Sequence, residues 1–286
     1  MYELRITKNR NNKNGGALMT GEISKMLLGF ALTVAMTVIF HGEADAGTRW
    51  VNNNAPSYNP PGSNCVDAGY VTIQDAINAA FPGDAVSVCP GTYNENVVIS
   101  KKNIRLVSVG GAAVTIVNAA TTFHVFQVTA TGVTIDGFTI VPTGFADADI
   151  GINLAVEGPA NATISRNIFN GGRIGINLGC ASAESTVAHN TLKSQSEAAI
   201  NIDTCEGSEV GSDGNFVHHN SACGGTFSYS IAAGEKSQDN KIVQNTAIYI
   251  TVAGTGNTVH HNIAEFFNIA AGNTEHHNYL DLDTCP

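Results

Sequence analysis

Charge is scarce in this 286-residue chain: Asp, Glu, Lys and Arg together make up 13 %. Disordered chains and solvated coils run far more charged, and a 43 % hydrophobic share supplies a core instead. Basic residues are the scarcer sign, 14 against 24 acidic, and the formal charge of −10 excludes sequence-independent nucleic-acid binding. No helical pattern of crossover length separates the strand-like segments, so a βαβ fold is excluded. No Cys-x-x-Cys and no Cys/His zinc spacing occurs, which argues against a redox dithiol and a structural zinc. No apolar run reaches the ~20 residues of a membrane helix. What abounds is turn-formers: 30 Gly, and an equal number of Asn, residues that favour turns and left-handed positions over helices.

Residues 26–40 (MLLGFALTVAMTVIF) form an uncharged apolar run of 15 after Lys25, followed by the small residues Ala44 and Ala46 around Asp45. This layout reads as a signal peptide, residues 1–46, cleaved after Ala46; the competing reading is a retained N-terminal anchor. The polar stretch before the run is over-long, and Met19 and Met26 are alternative starts. Export places the protein outside the cytoplasm, secreted or in the periplasm or on the cell surface, with no membrane span after cleavage. Residues 47–71 form a lead-in, and 72–286 the main body. The mature part carries 9 basic and 20 acidic residues; 47–120 holds four of each, while 121–286 holds 5 and 16. The second part repels polyanions unless a cation bridges them.

Repetition organises the main body. Gly151-Ile152-Asn153-Leu154, Gly175-Ile176-Asn177-Leu178 and Ala199-Ile200-Asn201-Ile202 recur at spacings of 24 and 24. A second signature, an apolar strand ending in Asn, recurs at Asn167, Asn190, Asn220, Asn245, Asn262 and Asn278, at intervals of 23, 30, 25, 17 and 16. Variable intervals around a regular unit describe one coil repeated, with loops of different length. Short alternating strands without helices stack in parallel about 4.8 Å apart, an all-β solenoid. The recurring Asn is expected to take the left-handed bend itself and to hydrogen-bond the same amide one coil away. Before the repeats, TIQDAINAAF (72–81) places Ile73, Ala76, Ile77 and Ala80 on one helical face behind Thr72 and Asp75, a short helix suited to seal the first coil. AVSVC (85–89), NVVI (96–99), IRLVSV (104–109), VTIV (114–117), FHVFQV (123–128) and GVTIDGFTI (132–140) read as the first coils.

The stretch 72–99, with KNIRLVSVG, GVTIDGFTI and the GIxL…TIxxN units, resembles right-handed parallel β-helix proteins of the pectin-lyase-like superfamily over roughly residues 70–280. The resemblance implies a single-stranded right-handed parallel β-helix with an N-terminal capping helix, and leaves activity open, since fold alone does not give function. Six cysteines in an exported chain suggest disulfides. Cys65 and Cys89 flank the capping helix and close a loop worth about 3 kcal/mol on the chain-entropy model. Cys180 and Cys205 fall at neighbouring stations of successive coils, which leaves Cys223 and Cys285 as a remaining pair.

Pectinesterase signatures such as DFIFG and an Arg preceding Pro-Trp are absent, and the one tryptophan is Trp50. The polygalacturonase-like stations carry only Asp149 and Glu197, two coils apart, near 10 Å, against the ~5–9.5 Å of paired hydrolytic carboxylates. A lyase or epimerase would draw on Arg173 or another of the few cations (Arg166, Lys193, Lys236, Lys241), with calcium held by Asp147/Asp149 or by Asp203, Glu206, Glu209 and Asp213. The weak catalytic candidates are therefore Asp149, Arg173, Glu197 and Asp203. Asn153, Asn177 and Asn201, continued by Ala232, Tyr249 and Asn268, form an outward column suited to sugar hydroxyls, and with Asp203 they make the substrate-binding candidates. His260 and His261 stack over His276 and His277 about 4.8 Å apart, which makes them candidate metal ligands.

Three readings result: a protein that binds, and in one version processes, polysaccharide along one coil face; a non-catalytic structural β-helix; and a periplasmic metal-binding β-helix. An enzyme of this kind would be a lyase, an epimerase or a glycoside hydrolase. No C-terminal cap is evident, so assembly through that end is a further expectation.

Overall fold

Apolar residues at every second position make each short segment a strand, and the strands stack coil upon coil in parallel columns. The computed structural model describes residues 46–144, 149–156, 158, 160–179, 182–202, 211–223 and 229–281, all within the unit Ala46–Pro286. The expected signal peptide lies outside these residues apart from Ala46, as do Asp147, Cys180, Asp203, Cys205, Glu206, Glu209 and Cys285. Among the described residues no helix is long and apolar enough to cross a membrane.

Each coil contributes to three columns. The first is a ten-stranded sheet from Thr48–Val51 through Ala85–Val88 to Thr274–His276. The second and third columns form one fifteen-stranded sheet. They are joined because Thr246–Val252 and Ile263–Ile269 run straight through the corner that separates the columns in earlier coils. The chain is a right-handed parallel β-helix, as its opening and repeats imply. The structure adds strands to the sequence reading: Thr48–Val51, inside the lead-in, pairs with Ala85–Val88, Ser57–Tyr58 pairs with Asp67–Ala68, and Gly91–Asn94 opens the second column.

In-register stacking builds the core. Val86, Leu106, Ile135, Ile164, Val187, Val217, Ile242 and Val259 succeed one another at one station of the first column, each at most 1 % exposed. Identical shapes at a fixed spacing pack without voids, which is how a solenoid extends one core along its length. The GIxL glycines serve close approach: a Cβ on Gly175 would lie 2.6 Å from the Leu192 side chain and 2.7 Å from the Ala199 carbonyl.

The two ends differ. At the first, Ile73–Ala79 is a helix capped by Thr72, whose Oγ1 accepts from the Asp75 amide. The expected helix of 72–81 is thus shorter at both ends. Its Ile73, Ala76 and Ile77 join the continuous core cluster. Glu95, from the coil beneath, accepts the Ile73 and Gln74 amides at 2.9 and 3.0 Å, so the free N–H groups of the first turn are met by a partner 21 or more residues away. Burial raises the Glu95 carboxyl pKa above its ordinary value, and the two amide hydrogen bonds oppose that shift. The Cys65–Cys89 disulfide ties this cap down with a Cα separation of 5.6 Å. At the other end, the first-column stack meets Glu275, paired with Val259 and exposed.

Cys223 is disulfide-bonded as well. The expected Cys180–Cys205 and Cys223–Cys285 pairs involve residues outside those described.

Candidate functional site

The outward face of the third column carries a ladder of amides. Asn153 Nδ2 donates to Gln127 Oε1 at 3.0 Å, Asn177 Nδ2 to Asn153 Oδ1 at 2.9 Å, and Asn201 Nδ2 to Asn177 Oδ1 at 2.9 Å. Strand alternation turns these residues out while Ile152, Ile176 and Ile200 point into the core. The next coil places Ala232 at this station, followed by Thr251 and Asn268. Here the register corrects the sequence expectation: Thr251, not Tyr249, continues the column. Tyr249 lies two positions earlier on its strand and stacks on Phe266, ring centroids 5.0 Å apart and planes 14° from parallel. Thr246–Val252 runs from the second column into the third as one strand, without the corner residues of earlier coils, and the count from one column residue to the next shortens accordingly.

Because Ala232 has no amide, the ladder stops, and Asn201 Oδ1 has no hydrogen-bond donor among the described residues. A depression of about 460 Å³ opens there, lined by Glu197, Asn201, Tyr229, Ala232, Glu235 and Thr251, with Lys236 at its edge. A second, of about 440 Å³, shares Glu235, Thr251 and Ala253 and continues to Asn268 and Ala270. Together they make a groove running along the coil stack. Tyr229 is 45 % exposed and lines the same depression as Asn201. Glu197 is held by Arg173, Nη1 to Oε2 2.7 Å, across neighbouring coils.

The remaining candidates fall elsewhere. Asp149 is 1 % exposed and accepts from Thr143 Oγ1 at 3.0 Å, two coils before Glu197. Asp213, suggested for calcium, accepts the Gln238 amide at 2.7 Å. Thus Glu197, Arg173 and Asn201 come together; Asp149 adjoins Arg173 on the neighbouring coil, its carbonyl accepting the Arg173 amide at 2.8 Å, but it does not line the groove.

The opposite corner, between the first and second columns, holds the predicted asparagines. Asn190 Oδ1 accepts both the amide and the Nδ2 of Asn167, at 3.0 and 3.2 Å, and the same double bond recurs from Asn190 to Asn220, Asn245, Asn262 and Asn278. Each Nδ2 also reaches back to a carbonyl, as from Asn220 to Val187 at 2.8 Å. One detail differs from expectation. The left-handed residue is not the Asn but the one before it: Arg166, His189, His219, Gln244, His261 and His277 have φ between 53° and 57°. The Asn side chain is needed inside, where it satisfies the backbone groups the bend exposes, so its neighbour takes the bend. A second ladder, Asn215, Asn240, Asn257 and Asn273, runs along the corner before the first column. Its sequence signal was present: each member stands five residues before a member of the first ladder.

The bend gathers histidines on the outside of this corner. His189, His218 and His219 form one cluster and His260, His261 and His276 another, with ligand atoms within 4.8 Å of one another in each. Burial, then the neighbouring imidazoles, lowers the pKa of His218 and of His260, which favours their neutral forms.

No protein-family model and no curated protein sequence matches the chain. Among solved structures, the pectate lyase Pel9A is similar, with a TM-score of 0.53 and 11 % identity over 86 % of this chain and 79 % of that one. The fold is that of a pectate-lyase-type parallel β-helix. A pectin methylesterase in complex with a hexasaccharide (TM-score 0.44, 11 % identity, 77 % and 71 % covered) and the pectin methylesterase from Aspergillus niger in deglycosylated form (0.43, 11 %, 85 % and 90 %) are more distant. At such identity the β-helix scaffold is what these proteins share.

Proposed function

We propose that this β-helix is an exported protein that binds a linear, predominantly neutral polysaccharide along the third-column groove. The observation that carries the reading is the interruption of the outer amide ladder at Ala232, which leaves Asn201 Oδ1 without a ladder donor in a depression that Tyr229 also lines. Sugar hydroxyls donate to an amide oxygen, and a sugar ring's C–H face lies against an aromatic ring. Thr251 and Asn268 extend the same polar line over the next two coils, at about the 4.8 Å repeat of the strands, so a linear polymer laid along the stack meets hydroxyl-binding groups in succession. Glu197, paired with Arg173, and the neighbours Glu235 and Lys236 leave the groove lining close to neutral, while the acidic surplus of residues 121–286, 16 acidic against 5 basic, disfavours a polyanion. In this reading Glu197 is an acceptor for sugar hydroxyls, oriented by Arg173.

Affinity electrophoresis of the purified protein through gels containing neutral or uronic-acid polysaccharides tests this. Retardation by a neutral polymer is expected, and the Asn201→Ala/Tyr229→Ala double variant should bind about tenfold or more weakly, equivalent to ~1.4 kcal/mol or more. Wild-type mobility unchanged by every neutral polymer would reject the reading in favour of a non-binding structural β-helix, and equal retardation of the variant would reject the groove as the binding surface. Release of reducing ends or unsaturated products in the same incubations would extend binding to processing.

A further inference from the structure

We propose that the histidine corner between the first and second columns is a transition-metal site, with one ion of the copper(II) or nickel(II) class at each of the two histidine clusters. The geometry starts from the asparagine ladder. On an ordinary strand, consecutive side chains point to opposite faces. Here the residue before each ladder Asn is left-handed, and that reversal swings its side chain onto the same outer surface as its predecessor. Consecutive histidines therefore converge: Nδ1 atoms are 2.8 Å apart in His218/His219, 2.7 Å in His260/His261 and 3.1 Å in His276/His277.

Those separations have a chemical meaning. An ion ~2.05 Å from both nitrogens of such a pair subtends an N–metal–N angle of roughly 80–100°. This is the cis angle of a tetragonal site, which copper(II) and nickel(II) prefer, and it is narrower than the tetrahedral angle of zinc. A third imidazole comes from the neighbouring coil. His276 stacks on His260 with ring centroids 4.7 Å apart, and His189 stacks on His219 at 4.9 Å. Ligand atoms in each cluster lie within 4.8 Å of one another, whereas nitrogens trans across an ion stand ~4.1 Å apart. Rotation of solvent-facing imidazoles about their side-chain bonds takes up that difference. In the empty pair, one Nδ1–H donates to the other Nδ1. Binding requires the donor ring to move its proton to Nε2, with no net proton lost.

The array is segmented. Between the clusters, the same station carries Val243 and Gln244, which offer no imidazole, so two separate sites result. This interruption also supplies a benign substitution: Gln244 already occupies the left-handed position at φ 54°, with the Asn245 ladder bonds intact.

The untagged full-length protein, titrated by calorimetry with Cu²⁺ and separately with Ni²⁺, should bind about two ions, with nitrogen hyperfine structure in the Cu²⁺ electron-spin resonance spectrum. His219→Gln should remove about one ion, and His261→Gln/His277→Gln the other, without change in circular dichroism. If the glutamine variants fail to fold, His261→Asn/His277→Asn, with the residue most tolerant of left-handed backbone after glycine, is used instead. Absence of binding by the wild type, or unchanged stoichiometry and affinity in the folded variants, would overturn the assignment.

Discussion

The corner station that carries Asn167 in one coil carries Phe138 in the coil before it, and the molecule changes character between them. Phe138 is fully buried against Phe126, ring centroids 6.1 Å apart, and gives the corner only its backbone N–H, which Asn167 Oδ1 accepts at 2.9 Å. From Asn167 to Asn262 every described coil has a buried amide at this position, and beyond Phe169 the core beside it is filled by Leu, Ile, Val and Ala. Earlier coils hold large side chains such as Tyr93, Phe126 and Phe138, a capping helix and a disulfide. The charge follows the same division: balanced over 47–120, and 5 basic against 16 acidic over 121–286. Coils can therefore be stacked either by core volume or by a polar ladder that satisfies the bend. The second way allows the repeat to contract, and the last ladder intervals are 17 and 16 residues.

Phe138→Ala strikes the volume-built part and should have the largest effect, about 3–5 kcal/mol from lost burial and the cavity left behind. Asn220→Ala strikes the ladder. It strands the Asn190 amide and Nδ2 and the Val187 carbonyl, at an expected ~2–3 kcal/mol. Denaturant melts of both variants compare the two regions directly, and a costlier Asn220→Ala would reverse the comparison. Asn220→Asp retains the acceptor but sets a buried carboxylate oxygen against the Val187 and His218 carbonyls and Asn245 Oδ1, so it should cost at least as much as alanine.

The smallest effect concerns pH and the capped end. Burial, helped by the charge of Glu95, pushes the Tyr93 hydroxyl up to about 12, although the Asn53 backbone opposes the shift. Its proton is donated to the Cys89 carbonyl at 2.9 Å. A folded pKa above the unfolded value of ~10 means the native state holds this proton more tightly. The stabilisation is complete below pH ~10 and lost as pH rises through about 12, with a size on the order of 2 kcal/mol. Tyr93→Phe should abolish that part of the alkaline destabilisation; identical slopes of stability against pH in the two proteins would place the loss elsewhere.

The last described coil brings a charge into the first column. The aliphatic stack of the first column terminates at Glu275, where a further Ile or Val would invite another strand. An exposed carboxylate at this station of the last described coil disfavours the pairing of a further aliphatic strand there. Leu280, 72 % exposed, and Tyr279 nevertheless remain apolar surface at that edge.

Much of this was legible because a stacked fold translates sequence spacing into spatial position. A 24-residue recurrence of Gly-Ile-Asn-Leu made Asn153, Asn177 and Asn201 neighbours before any coordinates, and the structure pairs them one to one. The same reasoning failed at Tyr249, since counting from an irregular loop does not reveal how many residues the corner absorbs. It also assigned the left-handed bend to the ladder asparagines, because propensity speaks of residues singly and the competition for the buried acceptor is decided between neighbours.

Sequence alone thus determined the parallel β-helix, the capping helix, the Cys65–Cys89 pair and the outer and inner asparagine rows, since each depends on local pattern repeated at a fixed interval. Only the tertiary structure decided where the outer ladder breaks into a groove, that Glu95 caps a helix 21 or more residues away, and that consecutive histidines face each other. Those features depend on register across coils and on the sign of one backbone angle, and neither is written in the spacing of residue types.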